Sequence, residues 1–451
     1  MITPSMNPAR PMREADSSER SESDVSVFAI IDPDAKGDWG HFLAYDKRVA
    51  EGCHDLGIGF ALICRKELDP KFFPDIAELV LPVFSVHSWT VGRKWPSTNN
   101  ANVIQFSSEL SEAFSKLEVR YPKGKICIFM YVGSVDVAEA IEHLLITRPR
   151  FRAVLNLFWS YSFEQNDPDY KSLWYPVVKR LERSSQVFLT HSTQQITDEF
   201  LRDWSVNLPV LPHPSTTFDD KAVVELAKLP EAQPGKPLRV VFPGGARKEK
   251  GFLLAASACE LLVDSPDLRL SLRARIDHVS GKELEDSLQH LLAEAGSKVE
   301  ILDDDLSDDE FIDMIRTADI VVIPYLSEAF RRRTSGILVD AFLLGKPVVV
   351  LKNTWLSDIV EAGNIGVCAN PDPVSLAEAV RDVAQHYGDF LPGLSRVRSD
   401  YLRMHSWKAL VKNVIAWAGL MLPIPSVAIE QTSQRITLLS RLRNLWEKFK
   451  G

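Results

Sequence analysis

Between residues 237 and 390, short continuous apolar runs alternate with amphipathic stretches. Leu238–Pro243 (LRVVFP) reads as a buried strand, and a Gly-rich turn and a helix over Lys250–Asp264 follow it. Next come strand Leu268–Arg275, helix Ser280–Ala295, strand Val299–Leu302 and helix Asp308–Thr317. Strand Asp319–Pro324 (DIVVIP) leads to a helix at about Ser335–Leu344. Strand Pro347–Leu351, helix Trp355–Ala362, a short strand near Gly366–Cys368 and helix Pro373–His386 end the series. Strands apolar on both faces, joined by amphipathic helices, predict a parallel sheet covered on both sides.

The N-terminal half follows the same grammar more loosely. Val25–Ile31 predicts a first strand, His41 to about Leu56 a helix, and Phe60–Cys64 a second strand. Ile126–Tyr131, Ala153–Leu157 and Val187–Thr190 read as later strands. From Ser215 to Pro237 the periodicity fades, and Pro230, Pro234, Gly235 and Pro237 mark a linker. The expected fold class is α/β, with two Rossmann-like doubly wound domains facing a central cleft. The expected segments are a tail 1–24, a first domain 25–215, a linker 216–236 and a second domain 237–400. A helix 401–425 packs back across the domains, and a basic amphipathic tail 426–451 ends the chain.

Composition narrows the function. The 451 residues suit two domains of about 200 residues. A net charge of -9 argues against nucleic acid as the main partner, because phosphate binding needs surplus Lys and Arg. The five cysteines form no CxxC pair and read as buried thiols. No apolar run approaches the roughly 20 residues of a membrane helix. The first 24 residues lack the apolar core of a secretory signal and read as a disordered tail. Ile436–Phe449 carries a leucine-rich stripe among Arg441, Arg443, Lys448 and Lys450. It suits peripheral contact with an anionic membrane face, or packing on protein.

Two segments carry candidate chemistry. In Pro243–Phe252 (PGGARKEKGF), Gly244 and Gly245 let backbone N–H groups approach a phosphate, and Arg247 and Lys250 supply charge. In Tyr325–Gly336 (YLSEAFRRRTSG), Thr334, Ser335 and Gly336 stand at a helix start that offers donors to an anion. Arg331–Arg333 either face phosphate or form a solvated run. Asp340, one turn into that helix, could accept bonds from ribose hydroxyls or be a surface charge. Arg275 and Tyr325, at strand ends, join the donor side. Asp303-Asp304-Asp305 reads as the acidic approach to a helix, and no metal is expected.

The span 238–390 resembles the donor-binding domain of retaining GT-B glycosyltransferases, the glycosyl transferases group 1 family. The resemblance rests on the Gly-Gly…Lys250-Gly251 opening, the Ala318–Pro324 strand and the Asp340-Ala341…Gly345-Lys346-Pro347-Val348-Val349 junction. Gly363…Gly366 and Pro371…Leu376-Ala377 complete it. It implies a GT-B fold whose first domain takes the acceptor. It also implies transfer of a hexosyl group from an NDP-sugar to an acceptor hydroxyl, with retention and without a metal or other cofactor. Arg247 and Lys250 would hold the donor diphosphate. Of the family's two glutamates eight positions apart, the second maps onto Asp340, while the first falls on Arg332, a departure that bears on how the sugar is held. The loop with Gly37, Asp38, Gly40 and His41 would line the cleft on the acceptor side, as would His87. A glycan or lipid-linked acceptor, in polysaccharide or glycolipid assembly at the cytoplasmic face of a bacterial membrane, follows by association. Two other readings stay open: a UDP-sugar 2-epimerase on the same scaffold, and a non-catalytic GT-B scaffold that binds a glycan or protein.

Overall fold

The computed structural model describes residues 25–36, 41–73, 79–91, 100–157, 170–228, 237–274, 282–295, 298–302 and 306–420. The first domain runs β1 (Val25–Asp32), α1 (His41–His54), β2 (Gly59–Arg65), β3 (Val80–Phe84), α2 (Asn100–Arg120), β4 (Lys125–Val132), α3 (Val135–Ile146), β5 (Phe151–Leu157), α4 (Tyr170–Leu181), β6 (Val187–His191) and α5 (Gln194–Trp204). Helix α6 (Asp220–Lys228) follows. The second domain runs β7 (Leu238–Phe242), α7 (Phe252–Leu262), β8 (Leu268–Arg273), α8 (Lys282–Ala295), β9 (Val299–Leu302), α9 (Asp308–Thr317), β10 (Ile320–Ile323), the single turn α10 (Ser327–Phe330), α11 (Gly336–Leu343), β11 (Val348–Leu351), α12 (Trp355–Gly363), β12 (Gly366–Ala369) and α13 (Pro373–Gln385). Helices α14 (Tyr387–His405) and α15 (Trp407–Trp417) close the described chain.

Each domain holds a six-stranded parallel sheet, ordered β3-β2-β1-β4-β5-β6 and β12-β11-β10-β7-β8-β9. The chain order therefore reverses between β1 and β4 in one sheet and between β7 and β10 in the other. In such sheets ligands gather outside the strand C-termini at that reversal. The central strands are buried on both faces, and their residues alternate between two cores. In β1, Val27, Ala29 and Ile31 face one core while Val25, Phe28 and Ile30 face the other. In β10, Ile320 and Val322 face one side while Val321 and Ile323 face the other. This two-sided burial is why the runs look continuously apolar in sequence.

Two expectations need correction. The supposed linker contains a nine-residue helix, α6, whose Val223 is buried against the second domain's core. The boundary at 400 falls inside α14, which runs unbroken to His405. The chain then returns to the first domain. The Trp407 indole is 2% exposed and packs edge-on against Tyr45 of α1, with ring centroids 5.0 Å apart. The Trp407 indole N–H donates to the Ser215 carbonyl at 3.1 Å, which ties the outgoing and returning segments together. The tails 1–24 and 421–451 lie outside the described residues, as do Asp303-Asp304-Asp305.

Candidate donor site and the facing edge

The turn after β7 is tighter than an open phosphate loop. Lys248–Lys250 form a 3-10 turn that Gly251 closes in a left-handed conformation, with φ of 69°. The backbone N–H groups of Arg247, Lys250, Gly251 and Phe252 are all bonded within this turn. A phosphate at this turn would meet the side chains of Arg247 and Lys250 and the neighbouring glycines rather than these N–H groups. Gly245 borders open space, whereas Gly244 packs on the Tyr325 ring.

The same turn is bolted to the segment after β10. The Leu326 N–H donates to the Glu249 carbonyl at 3.0 Å. The Lys250 ammonium sits 5.7 Å from the Tyr325 ring centroid. Tyr325 is 3% exposed, and its ring meets Phe330 at 4.2 Å. Burial pushes the Tyr325 hydroxyl pKa up, and the positive charges of Arg273 and Arg247 pull it back. Burial also works against the charge of Arg333, which Glu249 offsets. Arg247, Lys250 and Arg273 thus gather around one buried tyrosine at the β7/β10 reversal, and Arg333 lies beside Glu249 of the same turn. Arg273 was not anticipated from sequence. The expected cation at that strand end, Arg275, lies outside the described residues. The signal for Arg273 was present, because it occupies the last position of the strand.

Ser335 caps α11, its hydroxyl oxygen accepting from the Leu338 N–H at 3.4 Å, and Gly336 is exposed beside open space. Thr334 is half-buried next to them. This helix start remains available to an anion.

Asp340 has a different place from the one expected. It is 5% exposed on a helix buried along most of its length. Its carboxylate accepts from the Ser215 hydroxyl at 2.8 Å and from the Thr217 hydroxyl at 3.0 Å. A carboxylate enclosed in this way anchors the interdomain crossing to α11. It does not face open space, contrary to both the ribose-binding role and the surface position expected of it. Burial raises its pKa from 3.8 to about 6, the two hydroxyls only partly countering the desolvation. The folded protein therefore holds this proton more tightly than the unfolded chain. Stability from this group is complete below pH ~4 and is lost as pH rises through ~6. Asp340→Asn keeps an acceptor for Ser215 and turns a donor to the Thr217 hydroxyl. Its stability relative to wild type should rise by about 3 kcal/mol between pH 4 and pH 8, read from denaturant midpoints. Parallel curves for the two proteins would contradict the buried charge.

On the first domain, the loop after β1 and the turn after β3 meet at the strand C-termini. Asp34 accepts from the Ser88 N–H at 3.1 Å and also from the Ser88 hydroxyl. His87 Nδ1 lies 3.4 Å from Asp34, and the ring is 40% exposed, open to solvent at this edge. Behind them lie Asp32 and the buried Asp46, and desolvation raises both carboxyl pKa values, that of Asp32 to about 6, with the Asp32 charge adding to the rise at Asp46. Sequence reading missed this pair. Gly37, Asp38 and Gly40 lie outside the described residues, as does the side chain of His41.

The two edges face each other. The Thr193 hydroxyl, just past β6, donates to the Arg332 carbonyl at 3.2 Å. The Arg332 guanidinium forms an ion pair with Glu199 of α5, and Gln195 donates to Asp358 of α12 at 2.6 Å. Arg332 therefore spans the domains, rather than standing only in the donor cradle. A separate hollow of 860 Å³ runs along β7–β9 beneath α9, and Arg247, Lys250 and Gly336 are not among its lining residues.

Residues 237–386 match the family described as Glycosyl transferases group 1. Among curated proteins, none matches the sequence. Solved structures are similar over nearly the whole chain. Sucrose-phosphate synthase from Thermosynechococcus elongatus is 17% identical, with TM-score 0.55, covering 86% of this chain and 97% of its own. An alpha,alpha-trehalose-phosphate synthase (UDP-forming) from Burkholderia vietnamiensis is 13% identical, with TM-score 0.56, covering 90% and 99%. A putative UDP-N-acetylglucosamine 2-epimerase from Listeria monocytogenes is 11% identical, with TM-score 0.52, covering 87% and 95%. At these identities the likeness establishes the fold. The chain has the two-domain GT-B fold, and residues 237–386 of its second domain match the glycosyl transferases group 1 family.

Proposed function

We propose that this protein transfers a hexosyl group from an NDP-sugar to an acceptor hydroxyl, with retention and without a bound metal. One observation carries the reading. Inside the family-matched segment, the β7 turn and the β10 loop pack together and gather Arg247, Lys250 and Arg273 around Tyr325, with Arg333 beside Glu249 of the same turn. As the glycosidic bond breaks, negative charge grows on the leaving diphosphate. Cations fixed in advance beside that position stabilise the transition state more than the bound donor, which lowers the barrier. With protein cations in that role, the leaving group needs no divalent ion. No protein nucleophile is assigned.

The acceptor would enter from the opposite edge, past His87 and Asp34. Two of the similar structures are named as synthases of sugar phosphates, one of them UDP-forming, which makes UDP the first nucleotide to test. A glycan or lipid-linked acceptor, with the basic C-terminal tail touching a membrane face, remains part of the proposal. Among the described residues no helix is long and apolar enough to cross a membrane.

The test is a thermal-shift screen with UDP, GDP, ADP and dTDP. A ligand that binds only the folded state raises the melting temperature, by about 2.7 kcal/mol of stability at 100 times its Kd. One nucleoside diphosphate should stand out. No response to any of the four would sink the reading. The similar fold of an epimerase makes isomerisation the competing activity. Incubation with UDP-GlcNAc alone separates the two, since an epimerase turns over without an acceptor.

A further inference from the structure

Three contacts reach from one short stretch of the first domain, residues 193–199, into the second. The Thr193 hydroxyl binds the backbone of Arg332, the Glu199 carboxylate binds its guanidinium, and Gln195 binds Asp358. The ion pair is well shielded, with side-chain exposures of 8% for Glu199 and 20% for Arg332. Arg332 is thus gripped at both its main chain and its side chain. Its neighbours on either side belong to the donor edge: Phe330 stacks on Tyr325, Arg333 lies beside Glu249, and Ser335 caps α11. The loop that completes the donor cradle is therefore held in place by the opposite domain.

We propose that Glu199 and Arg332 form an interdomain latch that sets the position of loop 331–335, so that domain closure and donor binding are coupled through this pair. The proposal deepens the glycosyltransferase reading and rests on it for the identity of the donor. Arg332 acts here as a positioning residue. With its guanidinium spent on Glu199, it leaves Arg333, Thr334 and the α11 start to face the donor. Breaking one partner strands the other charge in a shielded site, which favours opening of the cleft toward water. Because coupling is reciprocal, a ligand that prefers the closed arrangement must bind more weakly when the latch is cut.

The experiment uses the full chain as wild type, Glu199→Gln, Arg332→Gln and the double exchange Glu199→Arg/Arg332→Glu. Small-angle scattering without ligand reads the separation of the domains. Titration with UDP, and with whichever diphosphate the thermal screen selects, reads the coupling. Each single substitution should raise the radius of gyration and weaken the nucleotide about tenfold, with circular dichroism unchanged. The double exchange should restore both to within about threefold of wild type. Single substitutions that leave both scattering and affinity unchanged would overturn the latch. So would a double exchange no better than either single. If wild type binds no nucleoside diphosphate, the enzymatic reading fails, while scattering and the charge exchange still decide the latch.

Discussion

Gly251→Ala should lose about 2 to 5 kcal/mol of stability, a large effect for a single methyl group. Gly251 lies at φ of 69°, where an L side chain costs about 1–2 kcal/mol by itself. A Cβ built there would stand 1.8 Å from the Pro324 carbonyl oxygen and 2.9 Å from its carbon. Both atoms are backbone, at the end of a strand paired with β7 and β11, so neither can swing aside. Forcing such an overlap adds about 1–3 kcal/mol of strain. Relief would require the turn to lift off β10, breaking the bond from Leu326 to Glu249 and moving Lys250 away from Tyr325. Urea unfolding followed by circular dichroism measures the loss, and recovery only as insoluble protein would read the same way. Gly245→Ala is the matched control. Its added methyl meets nothing within 4 Å and its φ is not positive, so it should stay within about 1 kcal/mol of wild type. Equal stability of the two variants would mean that the turn does not pack on Pro324 as described.

What sequence could reveal depended on how local the cause was. The strands of both sheets were visible because burial on two faces writes an unbroken apolar run, as in VFAII and IVVI. Helix α2 was overlooked although its signal is local: Phe106, Leu110, Phe114 and Leu117 fall on one face and are buried. Helix α14 was hidden by Pro392, Gly388 and Gly393, which look like breakers. Gly393 is there for space, since a Cβ would lie 2.2 Å from the Asn364 carbonyl oxygen. Asp340 was misread for a different reason. Its neighbours Leu338, Val339, Ala341, Phe342 and Leu343 are apolar around the helix, and a helix apolar all round is buried, so its carboxylate needed an internal partner. That partner, Ser215, lies 125 residues away. Arg332 finds Glu199 at a separation of 133 residues. No spacing rule reaches across two domains, so the residues joining the halves were the ones least legible in the chain.

Removing the cations tests the chemistry most directly. Arg247→Ala and Lys250→Ala should each lower kcat/KM for donor by about 10²–10³-fold, in line with losing one group that stabilises developing charge. Stability should barely move. Arg247 is exposed, and Lys250 forfeits a cation–π contact with Tyr325 of about 0.5–1 kcal/mol. The split between the constants carries the argument. If the two cations only hold the diphosphate, KM rises and kcat stays, because ground state and transition state lose equally. If they stabilise charge that grows as the sugar leaves, kcat falls while the affinity for free UDP changes less. Lys250→Arg separates charge from shape. Either residue supplies a full positive charge, compact in lysine and spread over a planar fork in arginine, so recovery to within about tenfold favours electrostatics, whereas failure to recover assigns the role to the lysine's shape against Tyr325. Full turnover in the Arg247→Ala/Lys250→Ala double variant, with the fold retained, would remove the β7 turn from the mechanism.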